Sequence, residues 1–176
     1  MQLPNIPPEH RDLGYDEVAR KLHERGVIVV GGALDAVAAE RTIVQLLAID
    51  LDGHDTITLQ VMGLTGDVGA ALAVHDVLST MATPTAIVAG GLLDAAGAVV
   101  VAGGTKGGRR LLPSARIHLR RPDAPSTPGL SLESAAQEVA LLRDRVQAVL
   151  GVPIHPSRMV DGHEAIELGI ADVLVE

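Results

Sequence analysis

The stretch Ala89-Gly-Gly-Leu-Leu-Asp-Ala-Ala-Gly-Ala-Val-Val-Val-Ala-Gly-Gly-Thr-Lys-Gly107 joins a strand to a helix, and the fold class follows from that junction. Between residues 87 and 104 the only charged side chain is Asp94, and this run is nearly long enough to cross a membrane. Asp94 and several glycines interrupt it, which favours a strand over 85–89 and then a buried helix over 94–102. An aspartate directly before a helix is typical of an N-cap.

Hydrophobic periodicity predicts the same alternation along most of the chain. Helices are predicted over 16–25, 35–51, 69–81, 94–102, 132–150 and 164–168, and strands over 27–30, 56–62, 85–89, 109–112, 115–119 and 171–175. Gly31-Gly32 is expected to end the first strand, residues 63–67 to form a loop, and the strands on either side of Pro113 to pair. Such alternation predicts an α/β fold with parallel strands and crossover helices. The proline-rich residues 1–13 are predicted to be a flexible segment ahead of a single domain, 14–176.

Composition excludes several classes of function. The chain has 176 residues, a net charge of −8 and no cysteine, and Tyr15 is its one aromatic residue. The negative charge disfavours nucleic acids and anionic membranes as partners, and the lack of cysteine excludes disulfides and thiolate chemistry. No apolar signal core opens the sequence, so a cytoplasmic location is expected. We interpret the local basic cluster as a solvated strand face; its members are Lys106, Arg109, Arg110 and Arg116.

The chain resembles the Clp peptidase subunit (ClpP) family over residues 15–176. The opening stretch is similar to the family's active-site helix, which begins Ala-Ser-Met-Gly and runs to Ala-Ala-Gly-Thr-Lys-Gly. Other matching segments are Ala71-Leu-Ala-Val-His-Asp76, Leu112-Pro-Ser-Ala-Arg-Ile117 and Glu164-Ala-Ile-Glu-Leu-Gly-Ile-Ala-Asp172. The resemblance implies a ClpP/crotonase-type spiral of βαβ units with a protruding handle helix, and a subunit that forms rings.

The resemblance also implies that the catalytic triad is lost. Ala95 stands where the family has its serine, and Arg120 stands where it has its histidine. A methyl group cannot attack a carbonyl, and a guanidinium stays protonated and cannot act as a base. The family's aspartate falls in a stretch that is shorter here, Ile154–His163, and we do not assign its role to Asp161.

The family's oxyanion loop, Asn-Ser-Pro-Gly-Gly-Ser, corresponds to Met62–Asp67. Thr65 replaces a glycine and Asp67 adds a carboxylate, which opposes an oxyanion. The resemblance thus implies a degenerate oxyanion region made of Thr65, Gly66, Asp67 and Ala96.

Two interpretations of the altered cleft stay open. In the first, Asp94 caps the helix and Arg120 pairs with Asp94 or Asp67. In the second, Asp67, Asp94 and His118 bind a ligand or metal. We expect no metal and no cofactor. The remaining histidines show no metal-ligand spacing, and three serines show no nearby histidine pattern; they are His10, His23, His54, His75, His155 and His163, and Ser79, Ser114 and Ser157.

The family's handle also corresponds to a recognisable segment. Pro125 and Pro128 remove backbone donors from the strand that, in the family, pairs with bound peptide. The helix over 132–150 carries an apolar stripe that fits packing on its own domain or against another subunit. Gln60 stands where the family has an aromatic residue of its unfoldase-docking pocket, so an AAA+ unfoldase is expected to bind only through partner subunits.

The sequence therefore predicts a catalytically inactive ClpP-like subunit, a serine protease homologue with a structural or regulatory role. It would assemble as a homo-oligomeric ring or as a hetero-oligomer with active ClpP-type subunits. Two alternatives remain: a residually active ATP-dependent serine endopeptidase subunit, and a crotonase-type acyl-CoA-binding enzyme. The glycine-poor loop over 63–67 and the Thr-Lys-Gly motif argue against the crotonase-type enzyme.

Overall fold

A computed structural model describes residues 17–123, 131–154 and 157–175. The predicted flexible segment 1–13, the two handle prolines and two of the histidines (His10 and His155) lie outside these ranges. The described elements in chain order are α1 (residues 17–23), β1 (Val27–Leu34), α2 (Ala36–Leu51), β2 (Ile57–Gly66), α3 (Val68–Thr80), β3 (Thr85–Gly90), β4 (Leu92–Asp94), α4 (Ala95–Ala102), β5 (Arg109–Leu111), β6 (Arg116–Arg120), α5 (Leu132–Leu150), β7 (Ser157–Asp161), α6 (Gly162–Glu167) and β8 (Val173–Leu174).

The strands form two sheets. The larger sheet has the order β1-β2-β3-β5-β8, and its neighbours run parallel. The smaller sheet has the order β4-β6-β7, in which β4 and β6 run parallel and β6 and β7 antiparallel. Parallel neighbours need crossover connections, and α2 and α3 supply them within the larger sheet. The predicted α/β class is confirmed.

Two predicted strand ends are wrong. Strand β1 does not end at Gly31-Gly32; it continues to Leu34, with a register shift between the two glycines. The predicted loop over 63–67 is also mostly strand, because β2 continues to Gly66 beside the end of β1. Each glycine by itself predicted the end of a strand, but hydrogen bonds to the paired strand continue beyond it.

The strands on either side of Pro113 do not pair with each other. Strand β5 lies between β3 and β8 in the larger sheet, whereas β6 lies in the smaller sheet. The turn at residues 112–115 therefore moves the chain from one sheet to the other. Strands β4 and β7 were not predicted. Helix α6 begins at Gly162, ahead of the predicted start at residue 164.

Helix α4 is buried on nearly every side. Its residues are alanine, valine and one glycine, and the first seven are all buried. Small side chains let it lie between α3, α5 and β2. The closest approach is at Gly97, where an added Cβ would lie 2.4 Å from the carbonyl oxygen of Leu64. The small residues of α4 are thus explained by the close packing of its neighbours, which leaves no room for larger side chains.

Among the described residues, helix α5 packs on the domain through its C-terminal end. Val146 and Leu150, near its C-terminus, are buried, and Leu142 and Val149 pack partly against the core. Leu132 and Leu141, farther toward the N-terminus, are exposed. No helix in the part of the chain that the structure describes is long and apolar enough to cross a membrane.

An ion pair joins β5 to the end of the chain. The Arg109 guanidinium contacts the Asp172 carboxylate, and both side chains are mostly buried, with 12% and 15% exposed. The same carboxylate accepts hydrogen bonds from the backbone N–H groups of Gly107 and Arg109. The prediction of a solvated basic face is therefore wrong for Arg109. The other three members of that cluster, Lys106, Arg110 and Arg116, are exposed.

Gly97→Ala is expected to destabilise the protein although alanine favours helices. The helix propensity gain is about 1 kcal/mol, but the close contact with the Leu64 carbonyl adds an overpacking cost of about 1–3 kcal/mol. Urea unfolding measures the net change. Ala148→Gly, on the exposed side of α5, is the control. It changes helix propensity alone and should lower the free energy of unfolding by about 1 kcal/mol. A Gly97→Ala variant more stable than the natural protein would contradict this packing.

Stability should fall in acid through Asp172. Hydrogen bonds from Arg109 lower the pKa of this carboxyl from 3.8 to about 2. A lowered pKa in the folded state stabilises the protein above the unfolded pKa, and that contribution is lost as pH falls from about 4 to about 2. The full contribution is about 2 kcal/mol. When the pH is lowered from 7 to 3, the free energy of unfolding measured in urea should fall by about 1 kcal/mol more for the natural protein than for Asp172→Asn. Equal losses would contradict the role of the pair.

Candidate functional site

The junction between β4 and α4 is held by a buried carboxylate. Asp94 ends β4, is 4% exposed, and is the N-cap of α4. Its Oδ1 accepts hydrogen bonds from the backbone N–H groups of Ala96 at 2.9 Å and Gly97 at 3.3 Å. These N–H groups have no partner within the helix, and the positive end of the helix dipole favours the carboxylate charge. The cap predicted for Asp94 is present in the structure.

The second carboxylate oxygen reaches a different element. Asp94 Oδ2 accepts a hydrogen bond from the N–H of Gly66, the last residue of β2, at 3.0 Å. Gly66 has a φ of +139° and lies so close to Leu34 that an added Cβ would be 2.4 Å from its carbonyl oxygen. Only glycine allows β2 to bring this N–H to the carboxylate.

Arg120 faces the same carboxylate from β6. Its Nη2 lies 3.5 Å from Asp94 Oδ2, which is the distance of an ion pair with a weak hydrogen bond. Its Nη1 donates to Asp123 at 2.8 Å. The hydrogen bond to Asp123, and then the charges of both aspartates, raise the pKa of Arg120 above its already high value. This guanidinium therefore stays protonated.

Ala95 begins α4 directly beside these groups. It is 2% exposed and Ala96 is fully buried, so their methyl groups are part of the core. No hydroxyl, thiol or imidazole takes part in the hydrogen bonds of Asp94 among the described residues. The junction can hold an anion, and the anion it holds is a side chain of the same protein.

The other loop residues lie apart from this carboxylate. Thr65 is the β2 partner of Ala33. Asp67 is exposed and caps α3, accepting from the Ala70 N–H at 2.7 Å. The Asp67 carboxylate therefore caps α3, and the carboxylate that accepts from the Gly66 N–H is that of Asp94.

The open interpretation of a ligand or metal site is not supported by these contacts. Asp67, Asp94 and His118 each bond to a different partner, and the described ranges contain no group of three His, Cys, Asp or Glu side chains placed to hold a metal. Asp161 is also engaged elsewhere, as the N-cap of α6, accepting from the Glu164 N–H at 3.0 Å.

One pairing was missed entirely. His118 Nε2 and Ser157 Oγ lie 3.1 Å apart, across the antiparallel pair β6–β7. Nothing in the sequence links His118 to Ser157, because the two residues come together only through the register of a strand that was not predicted. Nothing in local spacing could have revealed this contact.

A family model for the Clp protease matches residues 10–176. The chain belongs to the Clp protease family. Among curated members, the ATP-dependent Clp protease proteolytic subunit 1 of Thermobifida fusca (strain YX) is 29% identical over an aligned length of 166; the match covers 86% of this chain and 75% of that protein. Among solved structures, a mutant of ClpP1 from Listeria monocytogenes matches with a TM-score of 0.77 at 22% identity, covering 90% of this chain and 96% of that one.

The Clp protease fold accounts for the layout described above, including the sheet of parallel strands and the long helix α5. The match to the solved structure supports this fold along nearly the whole chain. In this chain the Asp94 carboxylate lies at the start of α4.

Asp94→Ala tests whether the carboxylate fills an anion site. Three N–H groups lose their acceptor and Arg120 loses a counter-charge, so the free energy of unfolding should fall by about 2–4 kcal/mol. Because the cavity left behind is lined by N–H donors, added formate should restore part of that loss, as measured by thermal melting. Sodium chloride at the same concentration controls for ionic strength.

Asp67→Ala is the matched control, because Asp67 is also an aspartate N-cap but is exposed. Its loss should cost about 1 kcal/mol, with no response to formate because water reaches the freed N–H. Equal costs for the two variants, or no formate effect on Asp94→Ala, would contradict the buried anion site.

Proposed function

We propose that this chain is a catalytically inactive, cytoplasmic subunit of a ring-shaped Clp-type protease assembly, with a structural or regulatory role. The observation that carries the proposal is the Asp94 carboxylate, which accepts hydrogen bonds from Ala96, Gly97 and Gly66 beside Ala95. In a peptidase, backbone N–H donors at such a place must be free to receive the oxyanion of the substrate. Here the Asp94 carboxylate already accepts from them.

The proton-transfer groups are also unsuitable. A serine peptidase needs a hydroxyl and a base that removes its proton. Ala95 has a methyl group, and Arg120 remains a cation because two aspartates lie beside it. On this proposal, Asp94 and Arg120 form an ion pair that fills the former active site.

Ring assembly is supported by apolar surface that the described residues leave uncovered. Helix α2 exposes Val37, Val44, Leu47 and Leu51, which recur along one side of the helix at intervals of three to seven residues. Contiguous exposed apolar side chains of this kind are typical of protein interfaces. The exposed N-terminal half of α5 is a second such surface. We propose that other copies of this chain, or active ClpP-type subunits, cover both.

Contact with an AAA+ unfoldase is proposed to come only through partner subunits. Gln60 lies half-buried on β2 and offers an amide where the resemblance places an aromatic ring. Large aromatic side chains usually carry the binding energy of such pockets. Native mass spectrometry of the chain, alone and co-expressed with ClpP-type subunits, tests the assembly: rings in either sample support it, and a monomer in both would contradict it.

Restoring the two missing groups should not restore proteolysis. In the double variant Ala95→Ser, Arg120→His, the hydroxyl and imidazole are present but the Asp94 carboxylate still accepts from the N–H donors. The expected rate of fluorogenic peptide cleavage is that of buffer, for the natural protein and for the variant. An active ClpP-type subunit in the same assay is the positive control. Cleavage by the natural protein, lost on substitution of a named residue, would overturn the proposal.

A further inference from the structure

The outer side of the smaller sheet carries a serine and a histidine in contact. Alternate residues of β6 and β7 face the core, and Ile117, Leu119 and Val160 are buried there. The residues between them face outward, and they include His118 and Ser157. His118 Nε2 lies 3.1 Å from Ser157 Oγ. This is the distance at which a histidine removes a proton from a serine.

The pair is placed so that a substrate could reach it. Ser157 is exposed and His118 is half-buried, which holds the ring against the sheet while the hydroxyl faces solvent. With His118 protonated at Nδ1, Nε2 is the acceptor and the Ser157 hydroxyl donates. The remaining lone pairs of Oγ are then free to attack.

The cross-strand neighbours define what the site can take. Arg120 is the direct cross-strand partner of Ser157, but its guanidinium bonds to Asp123 and Asp94 and is not counted as part of the site. Met159 is the cross-strand partner of His118 and is 52% exposed. An exposed apolar side chain that could contact an acyl or aryl group thus lies directly across from His118.

We propose that Ser157 is a nucleophile activated by His118, with reactivity toward small esters that have an apolar acyl or aryl group. Ser157 Oγ adds to the ester carbonyl carbon while its proton passes to His118 Nε2. The tetrahedral intermediate expels the alcohol, which takes that proton, and the acyl group stays on Oγ. Water then adds to the acyl-serine with His118 as base, releases the acid and restores the hydroxyl.

This reactivity is separate from the proposed function. It uses neither Ala95 nor the N–H groups bonded to Asp94, and it needs no ring. Because Ser157 is exposed and nothing among the described residues encloses it, the pair suits small activated esters and does not hold a peptide chain in position. Peptide cleavage that persists in Ser157→Ala would contradict the proposed inactivity. It would not contradict the reactivity of Ser157, which is tested by the labelling experiments below.

The first experiment is covalent labelling of the full chain with a fluorophosphonate, which transfers its phosphonyl group to an activated serine and releases fluoride. Peptide mapping should place the adduct on Ser157. His118→Gln should slow labelling at least tenfold, and Ser157→Ala should abolish it. Ser79→Ala is the matched control, because Ser79 is an exposed serine that bonds the backbone carbonyl of His75 and not an imidazole. An unlabelled Ser157, or labelling unaffected by His118→Gln, would overturn the proposal.

The absence of cysteine allows a second measurement that does not depend on turnover. Ser157→Cys and Ser79→Cys each introduce a single thiol. Iodoacetamide should alkylate the cysteine at 157 at least tenfold faster near neutral pH, because the imidazole favours the thiolate. Adding His118→Gln should remove the difference. Equal alkylation rates in the two single-cysteine variants would show that His118 does not activate this position.

Discussion

The buried carboxylate of Asp94 is the interaction on which the rest of the structure depends. A buried charge is stable only when its lone pairs are bonded, and Asp94 accepts from two N–H groups of α4 and one at the end of β2. It therefore sets where α4 begins and how far β2 extends. Because β4 also pairs with β6, the same residue links both sheets at one point. Moving it would leave several donors without an acceptor.

Part of this arrangement could be predicted from local sequence. An aspartate before a small-residue helix predicts an N-cap, and two of the three N–H donors follow from that alone. The third donor, Gly66, is far away along the chain, and its position depends on a glycine conformation and on the pairing of β1 with β2. Local patterns describe what a residue does within its own helix, but they do not show which strand end is brought against it.

The errors in the strands have the same origin. Gly31, Gly32 and the glycines of β2 were interpreted as breaks, because glycine weakens an isolated strand. In the sheet, the neighbouring strand supplies hydrogen bonds on both sides of each glycine, so pairing outweighs propensity. The smaller sheet escaped prediction because β4 has three residues and β7 pairs with a strand about forty positions earlier. The Ser157 and His118 contact was invisible for that reason alone.

The proposed inactivity and the stability of the fold arise from the same contacts. A working oxyanion site holds N–H donors that no group of the protein satisfies, and such strain is a cost that catalysis requires. On the proposed assignment, the Asp94 carboxylate satisfies these donors in this chain, and Arg120 balances its charge. A change that stabilises the start of α4 is thus also a change that prevents an oxyanion from binding there. Loss of the nucleophile at Ala95 would remove the need for open donors, after which a capping carboxylate brings only stability. Recovering catalysis would then need a serine, a base and the removal of Asp94 together, and each step taken singly would weaken the fold without restoring the reaction.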